Sequence, residues 1–384
     1  MIIKRTPEDF VVEEIPEFRL IEHSDYAVYK LKKINFTTND AIEIVARRAH
    51  TLPKNIKFAG NKDKNATTTQ YISIYKNSDP KALSIKENIL ELDFIGFTEE
   101  PISLGCLKGN RFEIVVSAIK DHTTPPSVKF LVPNYFDEQR FSEKNTDIGM
   151  ALLKKDFKKA SEIILLSEGH YEDRVKEHLQ TFPADYVGAI RKIPKKILLL
   201  FIHSVQSYIF NTVLCQLLKD FADKTADSSL NSQNSILNPL LNPISYYEIP
   251  YSKGNFIFYT NLEDYYRLAS ELDKANQDIT SITNYQLNQQ LTLIGFDKTD
   301  NLSAAILKTL NLSQRDFIIK AIPDLTVEGD LRPMFSEVTG FREEIMYDNI
   351  YDKTIHSDKN KIIKFCFSLN KGSYATIVIK NLCI

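Results

Sequence analysis

Residues 58–74 read FAGNKDKNATTTQYISI, with one carboxylate, Asp63, between Lys62 and Lys64. Gly60, Asn61 and Asp63 are ordinary turn formers, so local composition alone spells a solvated turn. The flanking runs IKFAG (56–60) and TTTQYISIY (67–75) carry the β-branched, aromatic and alternating content of strands. Asp63 therefore falls on a six-residue connection at a strand end, a place where a rigid scaffold can hold a functional loop. Whether it is more than a turn depends on the rest of the chain.

Upstream, DFVVEEI and YAVYKLKKI read as strands, the second with Tyr26, Val28, Lys30 and Lys32 on one face and Ala27, Tyr29, Leu31 and Lys33 on the other. A helix is predicted next, capped by Thr38 or Asn39. Ile42, Val45, Ala46 and Ala49 lie on its apolar side, Arg47, Arg48 and His50 on its wetter side, and Leu52-Pro53 ends it. Further strands are predicted at 91–97, 111–119, 361–369 and 374–380, so both ends of the chain read as β-rich. The middle has helical spacing instead, in MALLKKDFKKASEIILL from Met150 and from Ile197 to about Phe221. Residues 228–245 are rich in Ser, Asn and Pro and read as a long mobile loop. The expected fold class is α+β, with a mostly antiparallel sheet built from residues 1–155 and 335–384. A largely helical inserted domain, 156–334, interrupts it.

At 384 residues, 43% hydrophobic and 26% charged, the chain can form two globular domains and is not a disordered polymer. Its longest apolar run, ILLLFIHSV (197–205), is far short of a membrane span. MIIKRTPEDF at the start has no signal-peptide core, so the expectation is a soluble, cytoplasmic protein without a membrane partner. Cys106, Cys215, Cys366 and Cys383 form no C-x-x-C pair and the seven histidines no H-E-x-x-H, so no metal site is expected. A net charge of −2 and a pI of about 6.4 argue against a uniformly basic surface. Locally the picture differs: Arg47, Arg48, Lys54, Lys57, Lys62 and Lys64 surround the single acid Asp63. Two more basic clusters, Lys154-Lys155 with Lys158-Lys159 and Arg191-Lys192 with Lys195-Lys196, would extend a phosphate-binding track if folding brought all three to one face.

Three chemistries place an aspartate beside a lysine in a short polar motif. NKDK matches the guanine-reading N-K-x-D only in part, and no G-x-x-x-x-G-K-[ST] loop accompanies it. DKNATT is similar to the phosphorylated Asp-Lys-Thr-Gly-Thr of ion pumps, which need membrane spans. The third is RNA isomerisation. FAGNKDKNATTTQY resembles the signature block of the TruD family of pseudouridine synthases, Gly-x-Lys-Asp-x-x-Ala-x-Thr-x-Gln, through Gly60, Lys62, Asp63, Ala66, Thr68 and Gln70. KRTPEDFVVEE (4–14), LGCLKGNRF (104–112), VPNYFDEQRF (132–141), SVQSYIFN (204–211) and LNKGSYATIVIK (369–380) resemble further family blocks in the same order.

The resemblance implies a tRNA pseudouridine synthase acting on structured RNA, typically at uridine 13 of tRNA, with Asp63 as catalytic carboxylate and Lys4 as its partner. A nearby cation favours the ionised form of a carboxylate. It also implies that Phe10, Asn134 and Tyr374 contact a flipped-out base, which needs an aromatic or apolar face and a hydrogen-bonding edge. Phe136 would back the pocket and Gln70 would orient the catalytic loop. Lys62, Lys64, Arg47, Arg48 and Lys57 are the candidates for RNA phosphates. The isomerisation is redox-neutral, so no cofactor is expected, and a monomer is the favoured state. The chain departs from the family pattern at Asp137 and Ser142, where glycine is usual, in TEEPIS before the Leu-Gly block, and at Lys380-Asn381. These departures bear on RNA contacts and substrate choice, not on Asp63. The alternative from another class is a catalytically silent RNA-binding protein on the same scaffold.

Overall fold

The alternations near both termini fold into strands in the computed structural model, which describes residues 1–76, 79–142, 144–167, 171–226, 243–277, 290–347 and 361–383. The first elements are β1 (Ile2–Ile3), β2 (Phe10–Pro16), β3 (Tyr26–Ile34), α1 (Thr38–Arg48), β4 (Ile56–Phe58), β5 (Thr67–Tyr75), β6 (Ile85–Glu87), β7 (Leu90–Thr98) and β8 (Leu107–Ser117). Then come β9 (Phe130–Pro133), α2 (Asn145–Leu153), α3 (Phe157–Leu165), α4 (Glu172–Thr181), α5 (Tyr186–Ile190) and α6 (Lys195–Ala226). The remainder are β10 (Tyr246–Tyr251), β11 (Gly254–Tyr259), α7 (Glu263–Gln277), β12 (Gln290–Leu293), α8 (Asn301–Thr309), β13 (Asp330–Pro333), β14 (Phe335–Tyr347), β15 (Lys361–Asn370) and α9 (Ala375–Leu382). Two compact units result: residues 1–130 with 337–384, and residues 131–336.

In the first unit the strands run β6-β7-β3-β5-β2-β8-β15-β14, with β1 beside β8 and β4 beside β5. β2 and β5 pair in parallel, through Val11↔Thr67, Val12↔Thr68 and Glu13↔Thr69, within an otherwise antiparallel sheet. One face of β3 and β5 is apolar (Ala27, Tyr29, Leu31, Ile72, Ile74), and α1 covers it with Ala41, Ile42, Val45 and Ala46. The helix cap is Thr37, whose hydroxyl accepts from the Asp40 amide at 3.1 Å, rather than Thr38 or Asn39. That shift leaves the Thr38 side chain free to turn inward, with consequences for the site. Residues 374–380, expected as a strand, begin α9 instead. Its Ala375, Val378, Ile379 and Leu382 recur at helical spacing and are buried, so a run apolar at both periods is decided by packing.

The second unit is built on α6, a 32-residue helix. Among the described residues it is the one helix long and apolar enough to cross a membrane by length and composition, yet 67% of its apolar window is buried inside the protein. It is a core helix, and the nine-residue run at 197–205 was only its most apolar third. α2 packs against α6 so closely that a Cβ on Gly149 would stand 2.1 Å from the Phe201 carbonyl oxygen. This packing places α2 in the same compact unit as α6. The helix expected from Met150 breaks in two: Lys155 takes φ 60°, and Asp156 caps α3 by accepting from the Lys159 amide at 2.9 Å. An antiparallel hairpin, β10–β11, and a second antiparallel pair, β12–β13, whose strands are separated in sequence by α8, accompany the helices. Most of the Ser/Asn/Pro-rich stretch 228–245 lies outside the described residues.

Candidate active site

The loop from Ala59 to Ala66 joins β4 to β5 in the first unit and carries Asp63. Its partner comes from the N-terminus. Thr6-Pro7-Glu8-Asp9 is a capped 3-10 turn in which the Thr6 amide donates to the Asp9 carboxylate at 3.1 Å, with Pro7 preset for the first position. Between this turn and β1, Lys4 adopts φ 63°, a left-handed conformation uncommon for a side-chain-bearing residue. From there its ammonium donates to Asp63 Oδ2 at 2.6 Å and lies 4.0 Å from the centre of the Phe10 ring. The pair is a short charge-assisted contact, further held by cation–π attraction. The Asp63 side chain remains 42% exposed, and among the described residues nothing donates to its Oδ1.

The loop is fixed by buried polar groups. Gln70, fully buried on β5, donates to the Gly60 carbonyl at 3.4 Å and accepts from the Thr38 hydroxyl at 3.0 Å. The same hydroxyl accepts from the Lys62 amide at 3.0 Å. Lys62 itself turns inward, its ammonium 2.7 Å from Glu14 Oε1 on β2, with side-chain exposures of 10% and 2%. The contact is a charge pairing rather than a directed hydrogen bond, because Oε1 has no well-aligned donor, while the other Glu14 oxygen accepts from the Tyr71 amide at 2.8 Å. Lys33, at the end of β3, donates to the carbonyls of Asp63 at 2.8 Å and Phe36 at 2.6 Å, and reaches that of Lys62 at 3.5 Å. Burial pushes its pKa down to about 8, against the opposing pull of the Asp63 charge and with the help of the Lys62 charge.

The sequence-based candidates thus divide. Asp63, Lys4 and Phe10 are in direct contact, and Gln70 touches their loop. Phe10 is only 4% exposed, its ring set edge-on to Phe112, so it underlies Lys4 rather than presenting an open face. Lys62 is paired with Glu14 and is not displayed like Lys64, Lys57, Arg47 and Arg48, which are exposed. Arg48 is paired with Glu87 at 2.8 Å. Tyr374 is half-buried at the residue before α9, not within a strand.

Asn134 and Phe136 belong to the second unit, where both are organised by Arg332. Its buried guanidinium donates to the Asn134 carbonyl and to Asn134 Oδ1 at 2.7 Å, and stacks 4.0 Å from the centre of the Phe136 ring. Asn134 Nδ2 donates to the Pro333 carbonyl at 3.0 Å. Arg332 carried no local signal, since 198 residues separate it from Asn134. Lys33 did carry one, because strand alternation set it on the apolar face of β3. Of the two basic clusters that fall in this unit, three members are engaged within it, and Lys154, Lys159, Lys192 and Lys196 remain exposed. Lys155 pairs with Asp316, Lys195 with Asp324, and Arg191 donates to the Ala321 carbonyl. Among the described residues no three His, Cys, Asp or Glu side chains converge, and the four cysteines are free thiols.

An α+β unit assembled from both chain ends thus carries a lysine-paired carboxylate on a strand-end loop. The family model for tRNA pseudouridine synthase D matches residues 1–174, 165–235 and 254–382. A Nanoarchaeum equitans protein designated "Probable tRNA pseudouridine synthase D" is 30% identical, the alignment covering 100% of this chain and 98% of its relative. The tRNA pseudouridine synthase D of Aquifex aeolicus is 27% identical, covering 99% and 97%. A crystal structure of the Methanosarcina mazei protein given the same designation superposes with a TM-score of 0.64, covering 99% of this chain and 93% of that one. At 23% identity it establishes the fold alone. The chain belongs to the TruD family of tRNA pseudouridine synthases, which are isomerases.

Proposed function

We propose that this protein converts uridine 13 of tRNA to pseudouridine with Asp63 as the catalytic carboxylate. In that isomerisation the N1–C1′ bond breaks, the uracil turns while bound, C5 joins C1′, and the proton on C5 is exchanged for one on N1. Attack on the sugar, attack on the base, and removal of a sugar proton all begin from an ionised carboxylate with an available oxygen. The observation that carries the reading is that Lys4 holds Oδ2 at 2.6 Å while Oδ1 stays open on a half-exposed side chain. Lys4 fixes the direction of the carboxylate.

The target base must leave its stack to reach Asp63. Tyr374 supplies a ring for it, an aromatic platform contributing about 1–3 kcal/mol per stacked base. Asn134 has Oδ1 taken by Arg332 and one amide proton by Pro333, and its second amide proton is of the kind that suits a uracil carbonyl. Phe136 backs Asn134, and Phe10 acts through Lys4. The exposed cations Lys64, Lys57 and Arg47 meet RNA phosphates. The inserted unit takes part in holding the tRNA, and the protein works as a cytoplasmic monomer.

Purified protein incubated with unmodified tRNA transcripts is expected to form pseudouridine at position 13 without added cofactor. Asp63→Asn is expected to abolish product while tRNA affinity falls by less than about tenfold, or 1.4 kcal/mol. Turnover by the variant close to wild type would assign the chemistry to another group. Binding without product by the wild type across a full tRNA set would leave an RNA-binding protein only.

A further inference from the structure

Lys33 is the one lysine among the largest fully buried side chains described. Its Cα partners Thr68 on β5 and Leu90 on β7, and its side chain lies on the face that holds Ala27, Tyr29 and Leu31. A methionine would fill such a position with no desolvation of charge, so an ammonium there calls for a reason. The three acceptors around it are main-chain carbonyls, of Phe36, Asp63 and Lys62. Two of the three bracket the Asp63 backbone. No carboxylate oxygen is among them: Lys4 has that of Asp63 and Lys62 that of Glu14.

We propose that Lys33 is a positioning residue for the isomerisation, its protonated ammonium tying the loop carbonyls of Lys62 and Asp63 to the end of β3 and so setting the aim of the Asp63 carboxylate. Lys4 acts on the side chain of Asp63 and Lys33 on its peptide. An exposed loop with a Gly-Asn entry would otherwise sample many directions. A cation takes this part better than a neutral donor, because three hydrogen bonds converge on one atom and its charge also faces Asp63. The charged groups facing Lys33 are Asp63 and Lys62, from the same loop. The inference rests on Asp63 being the catalyst.

Lys33→Met and Lys33→Arg are the test, each measured for folding by circular dichroism, for tRNA dissociation constant, and for kcat at saturating tRNA. Lys33→Met is expected to fold, to bind tRNA within about threefold of wild type, and to lose at least about thirtyfold in kcat. Lys33→Arg, which keeps charge and donors, is expected to recover at least about tenfold of that loss. Independently of either variant, wild-type kcat should decline as pH rises through about 8, where Lys33 gives up its proton, and the decline should vanish in Lys33→Arg. A folded Lys33→Met with kcat within about threefold of wild type overturns the proposal, as does a wild-type kcat flat across that pH. Failure of wild-type protein to make pseudouridine, or unimpaired turnover by Asp63→Asn, would instead strike the reading on which it rests.

Discussion

Neighbouring residues of the β4–β5 loop go to opposite ends of the local charge network. Asp63 turns out to Lys4, and Lys62 turns in to Glu14. The exposures separate their roles: the Asp63 side chain is 42% exposed and Glu14 only 2%, so the first pair is built for access and the second for holding. Removing one partner from a buried pair leaves an uncompensated charge. Lys62→Met should therefore destabilise the protein by about 3 kcal/mol in denaturant unfolding, and adding Glu14→Gln should restore most of it. Equal stability of the single variant and the wild type would show that Glu14 finds another cation. Read as an extended segment, the sequence points Lys62 and Lys64 alike away from Asp63, which set both among the phosphate contacts. A loop that is not a regular strand does not obey alternation, and the direction of each side chain was settled by Glu14, 48 positions upstream.

At the scale of elements, the site depends on strands brought closer than side chains allow. Gly109, in the LKGN stretch of β8, faces β15 so tightly that a Cβ would stand 2.1 Å from the Leu369 carbonyl oxygen and 3.0 Å from its carbon, both main-chain atoms. Since β8 also pairs with β2 through Phe10↔Ile114, a displaced β8 would disturb Phe10 and the Lys4 above it. Gly109→Ala should cost about 2–4 kcal/mol of stability and lower activity with it, read as a fall in melting temperature. An unchanged melting temperature would mean that the two strands can part without penalty. The elements themselves were legible where one period dominated, as in β3, β5 and α1. They were not at 374–380, where Ala375, Ile377, Val378 and Ile379 satisfy both periods and burial chose the helix.

For the whole molecule, a net charge of −2 hides an uneven distribution. Lys64 on the β4–β5 loop, Lys57 on β4 and Arg47 on α1 are exposed, whereas Lys155, Arg191 and Lys195 are engaged with the 316–324 segment of the second unit. Lys64→Ala is expected to reduce the slope of log affinity against log salt by about 0.7–0.9, with the same effect on every tRNA tested and little on kcat. A slope equal to wild type would remove Lys64 from the phosphate contacts. Both chain ends build the first unit, so its sheet closes only when β15, near the end of the chain, lies against β8.

The amino-acid sequence alone determined the family, through six ordered blocks, and with it the α+β class and the candidate pair Asp63 and Lys4. It also split the residues of β3 between its two faces, since alternation with period two is a local property. Only the tertiary structure decided what lies opposite those residues: the carbonyls that Lys33 meets, the carboxylate that turns Lys62 inward, and Arg332 behind Asn134 and Phe136. The physical reason is range. Backbone period and turn chemistry act over a few neighbouring residues, whereas a buried charge is stabilised by whichever groups the packed chain brings within about 3 Å, at any distance along the sequence.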